Sequence, residues 1–220
     1  MIPKKNRRWI IYLISCLLFT FSQFYRSSIA VISPNLVEEL DLDTEDLGLI
    51  SAAFFYAFAV MQIPVGLYLD RLGPRVLMTA LSLAAVAGAS LFAYGESAAT
   101  LIVGRSLLGV GMSCNLMGPL KLITTWFSPL YFATLSAIFV SVGTAGNIAA
   151  ATPLVWLTEW FGWRTTFLLF AISNLVIALL FYLIARDHPG DPPVSRPTAA
   201  DRVSLSVALN GLLSLFTRRD

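Results

Sequence analysis

Histidine occurs once in the 220 residues and cysteine twice, and only 13% of the chain is charged, against about 25% in an ordinary soluble domain. Each shortage excludes something. The single histidine, His188, stands in a proline-rich stretch far from either cysteine, so no nucleophile–base pair and no metal-ligand cluster can be assembled from spacing. Cys16 and Cys114 both fall in long apolar runs, so neither a disulfide framework nor a metal site is indicated. The scarcity of charge is local as well as global: no charged residue occurs in 47–69, 76–94, 122–158 or 165–185. The basic residues are scattered along the flanks of these runs and form no face suited to nucleic acid. The chain thus reads as neither a metalloenzyme nor a hydrolase, and no cofactor is expected.

What is abundant is apolar. Hydrophobic residues make up 57% of the chain and the mean hydropathy is +0.75. A helix needs roughly 20 mainly apolar residues to cross the ~30 Å hydrocarbon core. Charges and turn residues delimit six such stretches: 9–36, 47–69, 76–94, 97–120, 132–157 and 165–185. The fifth is separated from the fourth by Trp126–Phe127–Ser128–Pro129–Leu130–Tyr131, a proline turn with interfacial aromatics. All six are expected to be helices, because hydrocarbon offers no partner to an open strand. The first apolar run is too long for the h-region of a signal peptide.

Orientation follows from the basic residues. Lys4, Lys5, Arg7 and Arg8 precede the first span, Arg71 and Arg75 lie between the second and third, and Lys121 and Arg186 follow the fourth and sixth. On the opposite side Arg164 faces Glu38, Glu39, Asp41, Asp43, Glu45, Asp46, Glu96 and Glu159. Both termini are therefore expected in the cytoplasm, with the chain a multi-pass protein of the cell's inner (plasma) membrane. Residues 1–185 form the expected six-helix bundle. Residues 186–220 read as a cytoplasmic linker, proline-rich over 186–202. Val203, Val207, Leu209, Leu212, Leu213 and Phe216 then fit a short amphipathic helix on the membrane surface or the start of a seventh span.

Between Arg8 and Glu38 the sole charge is Arg26. A central arginine costs at least ~2.5–3.5 kcal/mol on insertion scales, so a lipid-facing position is excluded in favour of a polar cavity. Ser22, four residues earlier, shares its helical face, as Ser33 roughly does. Arg105 is the other intramembrane charge, and no carboxylate lies inside any of the six spans. Two uncompensated cations point to an anionic ligand. Each arginine has an alternative role, bonding helix carbonyls and neighbouring polar groups.

Gly66-Leu-Tyr-Leu-Asp70-Arg71-Leu-Gly73-Pro-Arg75 resembles the loop between the second and third helices of the major facilitator superfamily, with Pro74 where the family pattern has a basic residue. Arg105-Ser-Leu-Leu-Gly109-Val-Gly111 is similar to the family's fourth-helix pattern, and Gly162-Trp-Arg-Thr-Thr-Phe167 to the start of its sixth helix. Residues 25–48 and 119–129 resemble the organophosphate/sugar-phosphate permease branch and neighbouring organic-anion carriers. The resemblance implies an all-α membrane protein, one six-helix half (a 3+3 repeat) of a two-half carrier with the solute at the midplane between halves. It also implies secondary active transport of a small organic anion, with Arg26, Ser22 and Gln62 as solute-binding candidates. Gln62 stands where some phosphate-handling members have a second basic residue, which favours a carboxylate or other monoanion. Gly66, Asp70, Arg71, Gly73 and Arg75 become the expected conformational switch, with Gly66 allowing close helix approach. Arg105, Gly109 and Gly111 are expected to be structural or coupling residues. The partners implied are the solute, the bilayer, and a second six-helix half or a second copy of this chain. A sensor or assembly subunit on the same fold is the alternative reading.

Overall fold

The computed structural model describes residues 4–190, and nearly all of them are helical. The expected proline-rich linker beyond residue 190 and the amphipathic segment after it lie outside the described residues. Helix α1 (Lys4–Leu40) runs unbroken through Pro34. Asp41, with φ 51°, ends it. Two residues on, Asp43 caps the next helix by accepting from the Asp46 amide at 2.8 Å, and Glu45 and Asp46 place negative charge at the positive helix end.

Helix α2 (Thr44–Ala93) has 50 residues, or roughly 75 Å of helix, more than twice the hydrocarbon thickness. It is two spans joined at Gly73, whose φ of 76° and ψ of 158° are not helical and lie in a region essentially reserved for glycine. Pro74 then starts the third span at a position where its missing N–H costs nothing. The fourth span is α3 (Ala98–Met112) and α4 (Met117–Trp126), joined by a loosened turn at 113–116. It extends beyond Lys121, the limit set by charge alone. A short 3₁₀ turn (Pro129–Tyr131) leads into α5 (Phe132–Ala149). Helix α6 (Thr152–Ile184) bends at Gly162, with φ 76° and ψ 156°. Residues 152–161 thus prolong the fifth span beyond a break at Ala150–Ala151, and 163–184 form the sixth. Among the described residues five continuous apolar segments are long enough to cross a membrane, and the bend at Gly73 divides one of them to give six spans there.

Span three lies against span four with almost no side chain between them. A Cβ at Gly111 would fall 2.3 Å from the Ala85 amide nitrogen, and one at Gly104 would fall 2.9 Å from that of Phe92. Across the second and fourth spans, a Cβ at Gly109 would meet the Phe54 carbonyl oxygen at 2.3 Å. Small residues at such crossings replace the hydrophobic drive that lipid cannot supply. Gly66 differs from expectation: nothing lies within 4 Å of a Cβ there, because it sits on a face of α2 that no other described helix covers. The core holds Tyr25, Phe54, Phe92 and Phe167 in one large cluster, with Ile11, Leu18, Met78 and Phe181 in a second.

The two bends carry matching arginines. At the first, Arg75 donates from Nε to the Tyr182 carbonyl at 2.8 Å, and its amide donates to the Asp187 carboxylate at 2.8 Å. At the second, Arg164 donates from Nη1 to the carbonyls of Ala93 and Gly95, both at 2.8 Å, and from Nε to Glu39 at 2.8 Å. The start of span three is thereby tied to the end of span six, and the start of span six to the end of span three.

Candidate solute cavity

Arg26 occupies the middle of α1. Its guanidinium lies over the ring of Phe58 at 4.8 Å and near that of Phe55 at 5.9 Å, contacts worth about 0.5–2 kcal/mol each depending on desolvation. Its Nε has no hydrogen-bond partner among the described residues. The cavity it faces encloses about 310 Å³, open space included, and is lined by Phe19, Ser22, Gln23, Arg26, Phe58, Met112 and Leu116. Ser22, Gln23 and Arg26 reach it because positions three and four apart share a helix face. No lining residue is acidic. One cation, an unpaired amide oxygen on Gln23 and an aromatic wall make a place for an anion bearing polar substituents.

Ser22 and Arg26 are therefore brought together. Gln62 lies one turn beyond Phe58 on α2 and donates at 3.4 Å to the Ser113 carbonyl; it is not among the lining residues. Ser33 bonds the Ala30 carbonyl in its own helix and also lies away from the cavity. Phe58 and Met112 line the cavity without having been expected. The Phe54–Phe55–Phe58 spacing was the available signal for the first, since an aromatic three or four residues along α2 from another presents the same face.

Arg105 is fully buried. It donates from Nη1 to the Tyr25 carbonyl at 2.7 Å, and its guanidinium sits 5.0 Å from the Phe54 ring centre. Phe54 and Phe58 stack at 6.2 Å with their planes 13° apart, so the two arginines lie against neighbouring rings of one stack. Arg105 grips the carbonyl of the residue just before Arg26. At the end of the bundle that carries the first bend, Asp70 accepts from Lys121 Nζ at 2.6 Å, and the same ammonium reaches the Leu69 carbonyl at 3.0 Å. The Trp126 indole donates to the Arg186 carbonyl at 2.9 Å, fixing the beginning of the segment that leaves span six.

These features define a polytopic α-helical membrane protein with one basic group, Arg26, facing a cavity inside its bundle and a second, Arg105, buried beside it. The chain belongs to the Major Facilitator Superfamily, whose family model matches residues 9–219. It is 25% identical over 204 residues to a probable galactarate/D-glucarate transporter, GudP, of Bacillus subtilis, covering 90% of this chain and 45% of that protein. A probable sulfoacetate transporter, SauU, of Cupriavidus necator is 28% identical over 182 residues (83% and 42%). The hexuronate transporter of Escherichia coli K12 is 29% identical over 190 residues (85% and 43%). The crystal structure of a bacterial homolog of the human lysosomal transporter Spinster, inward-facing and unoccupied, superposes with a TM-score of 0.73 at 18% identity, over 96% of this chain and 50% of that one. The chain thus spans about half the length of the curated relatives it matches.

Proposed function

We propose that this chain supplies the N-terminal half of a secondary carrier that moves a small organic anion across the plasma membrane by alternating access, both chain ends facing the cytoplasm. The observation that supports it is the Arg26 guanidinium, held on the Phe58 ring with an unpartnered Nε and facing a cavity without a carboxylate. The relatives named above carry, by their names, sugar diacids, sulfoacetate and hexuronates. All are anions, and the first and last are also polyhydroxylated. Here Arg26 pairs with the anionic group, while Ser22 and Gln23 serve the hydroxyls.

The test is a binding titration and a vesicle uptake assay on the chain joined by its matching second half. Glucarate, galacturonate and sulfoacetate are compared with neutral galactose. A planar two-pronged guanidinium contact is not reproduced by an ammonium or an amide, so Arg26→Lys is expected to weaken anion binding at least tenfold and Arg26→Gln to nearly abolish it. Tight binding of an anion by Arg26→Gln refutes the assignment. Binding without uptake identifies a sensor on the same fold.

A further inference from the structure

The two apolar cores of the bundle meet at a polar seam. On span three Leu81 belongs to one core and Ala85 to the other, with Ser82 between them; on span four Met112 and Cys114 divide in the same way at the loosened turn that carries Asn115; on span six Ala171 and Phe181 divide about Asn174. These three polar residues share a level. The ties of Arg75 to Tyr182 and of Arg164 to Ala93 fix spans three and six in antiparallel register, which puts Ser82, seven residues on from Arg75, level with Asn174, eight back from Tyr182. The close approach of Gly111 to Ala85 likewise puts Asn115, four on, level with Ser82, three back. The Phe24–Phe170 stack, 3.8 Å between ring centres, brings Leu18 of α1 to the height of Asn174, and Asn115 donates from Nδ2 to the Leu18 carbonyl at 3.2 Å. At roughly 1.5 Å per residue these registers agree to within about 3 Å. Leu18, Ser82, Asn115 and Asn174 are all 0% exposed, so the group stands where spans one, three, four and six converge.

Ser15, Thr79 and Ser106 return their hydroxyls to the carbonyl four residues earlier at 2.8–2.9 Å. Ser82 Oγ bonds nothing among the described residues, and neither do Asn115 Oδ1, Asn174 Nδ2 and Asn174 Oδ1. An amide with both ends unpartnered in a fully buried position is a heavier demand than one misaimed N–H, because buried polar groups cost stability unless they are hydrogen-bonded. We propose that the seam is a site for bound water that bridges Asn174 of span six to Ser82 of span three and Asn115 of span four. Asn174 Nδ2 requires an acceptor while Asn115 Oδ1 and Asn174 Oδ1 require donors, and a buried water supplies both through about three hydrogen bonds. A bare cation would satisfy the oxygens but be repelled by the Nδ2 hydrogens, and no carboxylate occurs within residues 9–36, 76–94, 97–120 or 165–185 to balance its charge. None of the three polar residues lines the Arg26 cavity, so the site is independent of what that cavity carries.

The test is X-ray footprinting of the chain, joined to its matching second half, in nanodiscs. Hydroxyl radicals then arise from the water itself and oxidise the side chain beside it, so a buried leucine is modified where water is bound next to it. Leu18 and Leu36 lie on one helix and are both 0% exposed, and Leu18 alone adjoins the seam. With ordered water at the first and none at the second, oxidation of Leu18 should exceed that of Leu36 by about fivefold or more. Ser82→Ala combined with Asn174→Leu makes the seam apolar without touching a cavity residue, and should bring Leu18 down to the Leu36 level. Thermal melting checks that the double variant folds. A crystal structure of the parent carrier at about 2 Å needs no variant, and ordered water is expected there within hydrogen-bond distance of the Asn174 amide. Equal oxidation of Leu18 and Leu36, undiminished oxidation of Leu18 in a folded double variant, or a direct Asn174–Ser82 hydrogen bond with no water between them would overturn the proposal. A sodium-dependent rise in melting temperature that the double variant loses would overturn it in favour of a cation.

Discussion

Gly109→Ala and Gly66→Ala make the same chemical change in helices of the same bundle and should have opposite effects. At Gly109 the new methyl would stand 2.3 Å from the Phe54 carbonyl oxygen, against an ordinary contact of at least 3.4 Å. Spans two and four must therefore separate by about 1 Å, and the obstacle is backbone, which cannot rotate away. Overpacking of this kind costs about 1–3 kcal/mol, offset by about 0.8–1.0 kcal/mol of improved helix propensity. A net loss of up to about 2 kcal/mol is expected. At Gly66 nothing lies within 4 Å, so propensity acts alone and the chain should gain about 0.5–1 kcal/mol. Reversible unfolding of the reconstituted chain by sodium dodecyl sulfate, followed by circular dichroism, measures both. Because Phe54 stacks on Phe58 beneath Arg26, Gly109→Ala should also weaken anion binding in the complete carrier. Equal stability of the two variants, or a more stable Gly109→Ala, would refute the packing argument.

Three further outcomes are expected. Asp70→Asn removes an ion pair whose acid is 81% exposed, so unfolding free energy should change by less than about 1 kcal/mol, while turnover of the complete carrier falls more than its affinity; unchanged turnover argues against a switching role. Gly73→Ala meets both a glycine-only backbone conformation and the Asp187 carboxylate, whereas Gly162→Ala meets the conformation alone, so melting temperature should fall at both sites and further at Gly73. Single cysteines replacing Asp43 or Glu96 should react with an impermeant maleimide from outside the cell and one replacing Leu130 should not; labelling of the last from outside would reverse the orientation.

Hydropathy made the spans legible because lipid imposes one rule on every residue facing it. Where the chain bends was less legible. Gly73 followed by proline between charged residues signals a turn, but the loosening at 113–116 falls inside Ser-Cys-Asn-Leu, which no charge or proline marks. It rests on tertiary contacts such as the Asn115 amide donating to the Leu18 carbonyl. At the cavity, Arg26 and Ser22 were readable from the cost of a central charge and from helical spacing. Gln62 illustrates the limit: its position in the second span was clear, but whether it turns to the cavity or to Ser113 depends on how α2 rotates against α3. Rotation of one helix about its axis is set by close contacts such as Gly109 on Phe54, and those are invisible in a single sequence.

The matched bends at Gly73 and Gly162 have a consequence for how the chain enters the membrane. Three spans separate them, so they lie at opposite faces. Yet both have nearly the same backbone angles, and both are followed two residues later by an arginine that reaches the opposite end of the partner span. The packed bundle consequently has little intrinsic sidedness: turned upside down, it presents similar joints at either surface. What breaks the tie is a small set of residues at its margins, Lys4, Lys5, Arg7 and Arg8 at one face and the acids from Glu38 to Asp46 at the other. Insertion direction is thus written chiefly in the basic residues, while among the acids Glu39 and Asp43 also hold the fold, through Arg164 and the cap of α2. Redistributing the basic residues while keeping Glu39 and Asp43 should yield a chain that enters inverted and still packs its six spans.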